Sequence, residues 1–265
     1  MTAAASHPAG NGQSAEFLGL HFDRLTQDEA LARVVELAQG KSFSYVVTPN
    51  VDHLVGLERE AADTTSNGAG PVWQAYEAAA LRLCDSRILA LLANRSGIRL
   101  PVVPGSDLTA RLLTSPAIAG WRIALVGGTP HQLAWLEHER PDCLWLQHAP
   151  PMGVRKNVRA QDEIIAFLAA AQPQLVLFAI GAPQSELVAS RAALSGTCQG
   201  VGLCIGASIE FLTGEKRRAP LLWQKLHLEW AFRLLCEPRR LWRRYLIDGP
   251  RIFAIWRRWE KQRPH

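Results

Sequence analysis

Five short apolar runs alternate with stretches of helical periodicity, and this alternation constrains the fold of the chain more than any other feature. The runs are rich in Val, Ile, Leu and Phe, and several end in glycine or proline, which is typical of buried strands. They cover residues 43–48, 122–126, 144–147, 175–180 and 201–205. Because helices separate them, the pattern predicts βαβ units and a parallel sheet.

Helical patterns are predicted at 27–37, with Thr26 as the N-cap, and at 51–62, 106–113, 131–139, 161–171 and 185–194. The predicted fold is α/β, a Rossmann-like, mostly parallel sheet with helices on both faces, joined by right-handed crossovers. Residues 17–22 are interpreted as an added edge hairpin strand. In such open sheets the ligand lies at the carboxyl ends of the strands, so the loops there are where a site is expected.

The composition, with 48% hydrophobic and 20% charged residues over 265 positions, is that of a soluble globular protein. We interpret residues 1–15 as a disordered tail, 16–213 as the core and 214–265 as a basic helical appendage. No secretory signal is visible. The five cysteines are dispersed, which argues against a disulfide framework or zinc site and favours a reducing compartment.

Residues 164–184 carry no charge and are about long enough to span a membrane. Gln172-Pro173-Gln174 lies in the middle of this stretch. We therefore expect an apolar helix, a turn and a buried strand instead of a membrane span.

Charge is unevenly distributed along the chain. From Lys216 onward there are 14 Lys/Arg against 4 Asp/Glu, and five of the nine tryptophans also lie in this segment. A basic, aromatic appendage on a mildly acidic body favours polyanions or an anionic membrane surface.

Several enzyme motifs are absent from the sequence, namely GxxxxGK[ST], HExxH, GxSxG and Asp-x-Asp. The stretch Gly200–Gly206 has one residue too many for GxGxxG and lies along a predicted strand. Two alternatives from other classes remain, an NAD-type oxidoreductase and a non-catalytic nucleic-acid-binding module that uses the basic appendage.

Three polar residues are candidates for chemistry, each with a simpler alternative. Asn50 follows a strand, so its amide could reach the crevice or cap the next helix. Asp85 is a lone acid before an apolar stretch, where an N-cap is the usual role. Glu186 lies in the first turn of a predicted helix and could simply complement the helix dipole.

A series of weak motifs, specific only as an ordered set, runs through the chain: TPN at 48–50, PGSDL at 104–108, LVGG at 125–128, GAPQSE at 181–186, KRRAP at 216–220, LEWAFR at 228–233 and EPRR at 237–240. This ordered set resembles the WecG/TagA/CpsF family of bacterial glycosyltransferases. The resemblance extends from about residue 17 to residue 245.

The resemblance implies a metal-independent, inverting transfer of a sugar from a UDP-sugar to a saccharide on a polyprenyl diphosphate. Such a reaction serves exopolysaccharide or cell-envelope glycan synthesis. By the same resemblance Asp85 is the general base, Asn50 positions the reacting groups, and Thr48 lies beside it in the donor pocket. One carboxylate suffices for an inverting transfer, and general-base help contributes about 10²–10⁴-fold.

Without a metal, the charge on the leaving UDP must be met by helix N-termini, backbone N–H groups and arginines. The resemblance assigns Arg233, Arg240 and Arg243 to the diphosphate, with Arg218 as a further candidate. Gly127 and Gly128 permit close backbone approach. The family's PKQE motif reads Pro183-Gln184-Ser185-Glu186 here, so Gln184 and Glu186 are candidate substrate contacts, and Ser86 stands where a glycine is usual.

The expected partners are a UDP-sugar, a polyprenyl-diphosphate-linked saccharide and an anionic membrane surface, with no nucleic acid, no cofactor and no metal. The enzyme would be cytoplasmic and peripherally bound to the inner face of the cell membrane. The transferred sugar (glucose, N-acetylmannosamine or a uronic acid), the acceptor sugar and the oligomeric state, including a homo-oligomer, stay open.

Overall fold

The computed structural model describes residues 14–63, 70–216, 220, 223 and 229–263. A six-stranded, wholly parallel sheet lies at its centre, in the order β4-β3-β8-β7-β5-β6. Its strands are β3 (Ser44–Val47), β4 (Leu81–Arg82), β5 (Arg122–Gly127), β6 (Leu144–His148), β7 (Leu175–Ala179) and β8 (Val201–Cys204). The five predicted strands are confirmed, and β4 is an addition.

Helices cover both faces of the sheet, as predicted. Alternate residues of one strand belong to separate apolar clusters, with Leu175 and Leu177 in one and Val176 and Phe178 in the other. The helices of the body are α1 (Gln27–Ala38), α2 (Val51–Asp63), α3 (Pro71–Glu77), α4 (Arg87–Arg95), α5 (Gly105–Thr114), α6 (Pro130–Glu139), α7 (Val158–Ala171), α8 (Gln184–Ser195) and α9 (Ser208–Leu212).

Local signals set the ends of several helices. Thr26 caps α1 through a capping box with Glu29, as its position before the apolar pattern predicts. The uncharged stretch at 164–184 is a helix, a turn and a strand, because α7 stops at Ala171 and Gln172 takes a left-handed conformation. None of the helices seen in the described residues has the length and apolar character needed to cross a bilayer.

The edge hairpin strand predicted at 17–22 is wrong in detail. Two strands, β1 (Ser14–Phe17) and β2 (Leu20–Asp23), form a separate antiparallel sheet. The turn between them uses left-handed backbone at Leu18 and Gly19, which closes a tight hairpin. The predicted loop at 63–71 and the predicted tail at 1–15 lie mostly outside the described residues.

Arg82 joins this hairpin to the edge of the main sheet. Its side chain is fully buried, its backbone N–H donates to Asp23 Oδ2 at 2.8 Å, and its Nε donates to the His21 carbonyl at 2.8 Å. A buried guanidinium is tolerated only when its donors are satisfied. This joint fixes the two-residue strand β4, and therefore the position of the residues that follow it.

The C-terminal segment is helical, with α10 (Glu229–Cys236), α11 (Pro238–Trp242), a π-helical turn (Arg243–Asp248) and α12 (Arg251–Gln262). Helix α12 packs on the body through its aromatic residues. Trp256 Nε1 donates to Ser96 Oγ at 2.8 Å, and the Trp259 ring contacts Phe17 edge-on at 5.2 Å. Two of the five tryptophans of the appendage are therefore partly buried against the body.

Candidate active site

Asn50 and Asp85 follow two neighbouring parallel strands at matching positions. Val47 of β3 pairs with Arg82 of β4, and each candidate residue lies three positions later. The pairing continues past the strands, because the Leu83 N–H donates to the Val47 carbonyl at 3.0 Å and the Asp85 N–H to the Pro49 carbonyl at 3.0 Å. Residues far apart in sequence are thus held at one end of the sheet.

Both residues line a cavity of about 410 Å³ at this carboxyl edge. Its floor comes from the beginnings of α2 and α4, and its far wall comes from α10, the π-helical turn and α12. The appendage contributes Trp230, Arg233, Arg244, Tyr245, Leu246, Gly249, Pro250, Ile252 and Phe253. The cavity therefore joins polar groups of the body to apolar side chains of the appendage.

Asn50 combines the two roles that the sequence left open. Its Oδ1 accepts hydrogen bonds from the N–H groups of Asp52 at 3.0 Å and His53 at 3.2 Å, so it caps α2. Since the cap uses only the oxygen, the amide nitrogen remains the part of this side chain suited to a ligand in the cavity.

Asp85 is not the N-cap of the helix that follows it. Ser86 takes that role, since its hydroxyl accepts a hydrogen bond from the Leu89 N–H at 3.3 Å. The serine that departs from the family pattern thus has a structural role here. It leaves the half-buried carboxylate of Asp85 on the cavity wall.

Two helix N-termini face the same space, because residues 50–52 begin α2 and residues 86–88 begin α4. A helix N-terminus favours bound anions through its unsatisfied N–H groups and its dipole. Arg87, Arg233 and Arg244 add three positive charges to the lining, against the carboxylates of Asp52 and Asp85. This balance of charge suits a bound polyanion beside one reactive carboxylate, that of Asp85.

Arg244 is a lining residue that the sequence analysis did not select. Its Nε lies 3.2 Å from Asp52 Oδ2, an ion pair that joins the appendage to the start of α2. Burial, followed by the nearby Arg244 charge, lowers the pKa of His53 to about 4, so that imidazole is neutral at pH 7. His53 therefore adds no positive charge beside Arg244.

Of the predicted arginines, Arg233 lines the cavity and also stacks on the Phe211 ring, with its guanidinium carbon 4.8 Å from the ring centroid. Arg240 and Arg243 are exposed and are not among the lining residues. Arg240 Nε makes an ion pair with Glu237 instead, at 2.5 Å. Arg218 lies outside the described residues.

Thr48 and the two glycines lie near the site without lining the cavity. Thr48 is buried against the PGSDL motif, and a Cβ at Gly105 would lie 2.8 Å from its hydroxyl. Gly127 has φ of +89°, and a Cβ there would lie 2.7 Å from Ile180 Cγ2. The structure thus gives Gly127 a packing role where β5 and β7 end. A contact of Gly127 or Gly128 with substrate stays a prediction.

Gln184 and Glu186 lie at the start of α8, where neither lines the cavity. The Gln184 amide donates to the Ile180 carbonyl, and its oxygen accepts from the Arg155 N–H at 3.3 Å. Glu186 is buried and accepts a hydrogen bond from the Tyr76 hydroxyl at 3.2 Å. Burial raises the pKa of Glu186 to about 7, so it is more than a surface acid that complements a dipole.

A comparison with family models decides the class of protein. The model described as Glycosyl transferase WecG/TagA/CpsF family matches residues 15–265. The chain belongs to the WecG/TagA/CpsF glycosyltransferase family.

Membership makes this chain a glycosyltransferase of cell-envelope polysaccharide synthesis. The family in general uses a sugar nucleotide as donor and a lipid-linked acceptor. It selects the transferase hypothesis over the oxidoreductase and the nucleic-acid-binding module. Within the described residues, no group of three or more His, Cys, Asp or Glu side chains is arranged to hold a metal ion. The WecG/TagA/CpsF assignment does not test the roles of individual residues, which remain predictions.

Proposed function

We propose that this chain moves a sugar from a UDP-sugar, with inversion and without a metal, to a saccharide carried on a polyprenyl diphosphate. The observation that carries the proposal is the convergence of Asp85, Asn50, two helix N-termini and two appendage arginines on one cavity. Each group matches a demand of that reaction.

In the proposed step an acceptor hydroxyl attacks the anomeric carbon of the donor sugar from the face opposite UDP. Asp85 takes the hydroxyl proton as the new C–O bond forms. The bond between the anomeric carbon and the diphosphate breaks, and its electron pair leaves with UDP. The Asn50 amide orients the reacting hydroxyl or the sugar beside it.

The diphosphate charge is met by protein groups alone. The N-termini of α2 and α4 and the guanidinium groups of Arg233 and Arg244 supply positive potential at the cavity. Arg218, Arg240 and Arg243 are kept as candidates that act when substrates are bound. We propose the appendage, 214–265, as the element that closes over the site.

The same appendage is proposed to hold the enzyme on the inner face of the cell membrane. Half of the large apolar side chains that are exposed among the described residues lie between 235 and 253, at positions Leu235, Trp242, Leu246, Ile247 and Phe253. Exposed arginines at 239, 240, 243 and 251 accompany them. Apolar side chains beside basic ones suit an interface that contains anionic lipid.

The test is the Asp85→Asn variant with a panel of UDP-sugars and a lipid-linked monosaccharide acceptor. The variant is expected to keep the circular dichroism and melting temperature of the wild type while turnover falls by about 10²–10⁴-fold. Asp28→Asn, at an exposed position outside the cavity, is the matched control. Near wild-type turnover by Asp85→Asn rejects Asp85 as the base, and a product with retained anomeric configuration rejects inversion.

A further inference from the structure

A second, smaller cavity of about 220 Å³ lies on the other side of the start of α2. Helix α2 forms one wall. Tyr76 of α3, the Ala182–Pro183 segment before α8, Arg155 and Asp248 complete the lining. Asp52 lines this cavity and the first one, so the two spaces adjoin. The volume suits a single sugar ring better than a whole nucleotide sugar.

Gly56 gives the first reason to regard this cavity as a binding site. It lies in the interior of α2, where glycine is among the least favourable residues for helix stability. Its φ is not in the left-handed region, and a Cβ built there meets no atom within 4 Å. Neither backbone conformation nor packing calls for glycine. The position is exposed and lines the cavity, so a side chain added there stands at the mouth of that space.

The polar groups around Gly56 give the second reason. His53 lines the cavity, and its Nδ1 atom is buried without a hydrogen-bond partner among the described residues, which is uncommon for a buried polar atom. Arg59 and Arg155 are hydrogen-bond donors, and the carboxylates at 52 and 248 are acceptors. A ring with several hydroxyl groups, each both donor and acceptor, matches this mixture.

The charges in the lining favour an uncharged ring. Three carboxylates, from Asp52, Glu60 and Asp248, face two arginines. Arg59 is already paired with Asp248 at 2.7 Å. There is no surplus of positive charge to receive the carboxylate of a uronic acid.

We propose that the second cavity is a subsite for an uncharged pyranose ring of one of the two sugar substrates. The inference rests on the proposed function and adds a location and a class to its sugar. Because Asp52 separates the two spaces, a ring held here lies next to the cavity that Asp85 lines. The ring belongs either to the donor or to the acceptor, and binding measurements separate these sources.

The test fills the cavity from Gly56 in the full chain. Gly56→Leu projects a side chain into the space, and Gly56→Ala is the milder change that helix propensity favours. Ala61→Leu, at an exposed position of the same helix outside both cavities, is the matched control. Calorimetry compares UDP, UDP-glucose and UDP-glucuronic acid, and steady-state kinetics give KM for the lipid-linked acceptor.

If the donor ring occupies the subsite, Gly56→Leu weakens UDP-glucose binding at least 10-fold and leaves UDP binding unchanged. If the acceptor ring occupies it, the acceptor KM rises by a similar factor while donor binding is retained. In both cases Gly56→Ala melts at or above the wild-type temperature, and Ala61→Leu matches the wild type in affinity and KM.

Wild-type affinities and KM values in Gly56→Leu overturn the subsite while leaving the transferase activity standing. A wild-type chain that neither binds nor transfers any UDP-sugar overturns the proposed function, and the subsite with it. UDP-glucuronic acid bound more tightly than UDP-glucose, with that preference lost in Gly56→Leu, overturns the assignment to an uncharged ring.

Discussion

The backbone N–H of Asp85 donates a hydrogen bond to the carbonyl oxygen of Pro49 at 3.0 Å, which ties the candidate base to the loop that carries Asn50. The bond extends the pairing of β3 and β4 beyond their last paired residues. A carboxylate whose backbone is held by sheet hydrogen bonds loses less conformational entropy on meeting its substrate than one on an open loop. The pairing of β3 and β4, more than the loops themselves, therefore sets how far the carboxylate of Asp85 lies from the amide of Asn50.

The double role of Asn50 predicts that its two functions can be separated. Asn50→Asp keeps an oxygen for the N–H groups of Asp52 and His53, so α2 stays capped and thermal stability is expected to change by less than about 0.5 kcal/mol. The substitution removes the amide donor and adds a negative charge beside Asp85. Turnover is expected to fall at least about 10²-fold, measured with saturating donor and acceptor.

Asn50→Ala is the companion to that variant, since it loses both the cap and the amide. It is expected to lose about 1 kcal/mol of stability as well as activity. If Asn50→Asp keeps most of its turnover, Asn50 is a cap alone and has no part in the reaction.

The adjacent arginines Arg243 and Arg244 provide a matched pair. Arg244 lines the cavity and is paired with Asp52, whereas Arg243 is exposed. Loss of a charged hydrogen bond to a diphosphate costs about 1.5–3 kcal/mol, so Arg244→Gln is expected to lower kcat/KM by about 10- to 100-fold. Arg243→Gln is expected to lower it less in detergent solution. An equal or larger loss from Arg243→Gln would show that the appendage rearranges when substrates bind.

Much of the fold, but less of the site, follows from the sequence. The apolar runs around Leu175 and Val201 predict strands because burial of both sheet faces leaves a continuous local signal. The neighbourhood of Asn50 and Asp85 depends on β4, which has two residues and is held by the buried Arg82, so no local periodicity reveals it.

The position of Arg244 was missed for a different reason. Residues Arg243–Asp248 form a π-helical turn. A turn with i→i+5 hydrogen bonds changes the direction of successive side chains relative to a 3.6-residue helix. The spacing of an ordinary α-helix therefore does not show whether Arg243 or Arg244 faces the cavity.

Glu186 predicts a pH-dependent stability. Its pKa rises from an ordinary value of 4.5 to about 7 because the carboxyl is buried, so the folded state holds a proton that the unfolded state has lost between those values. As pH rises through this window, wild-type stability is expected to fall relative to Glu186→Gln, by up to about 3 kcal/mol above pH 7. Below about pH 4.5 both states become protonated, and the stability difference should no longer change with pH.

Urea unfolding of the two proteins across that pH range measures the difference directly. Gln keeps an oxygen for the Tyr76 hydroxyl, so lost hydrogen bonding should not mask the effect. A stability difference that is constant with pH would mean that Glu186 ionises at its ordinary value in the folded protein.

The exposed apolar side chains of the appendage predict membrane binding that depends on both lipid charge and these residues. Leu235 and Ile247 are 70% and 49% exposed and lie outside the first cavity, so Leu235→Glu and Ile247→Glu test the surface without altering the site. Each is expected to weaken binding to vesicles that contain acidic phospholipid by about 10-fold, since burial of such a side chain contributes roughly 1.5–3 kcal/mol. Rising salt should weaken the binding of the wild type to these vesicles, because each basic residue near anionic lipid contributes about 1 kcal/mol.

Leu194→Glu, at an 83% exposed position on α8 of the body, is the matched control for co-sedimentation and should bind like the wild type. Equal loss in all three variants, or wild-type binding that ignores lipid charge, would exclude the appendage as the membrane-contact surface.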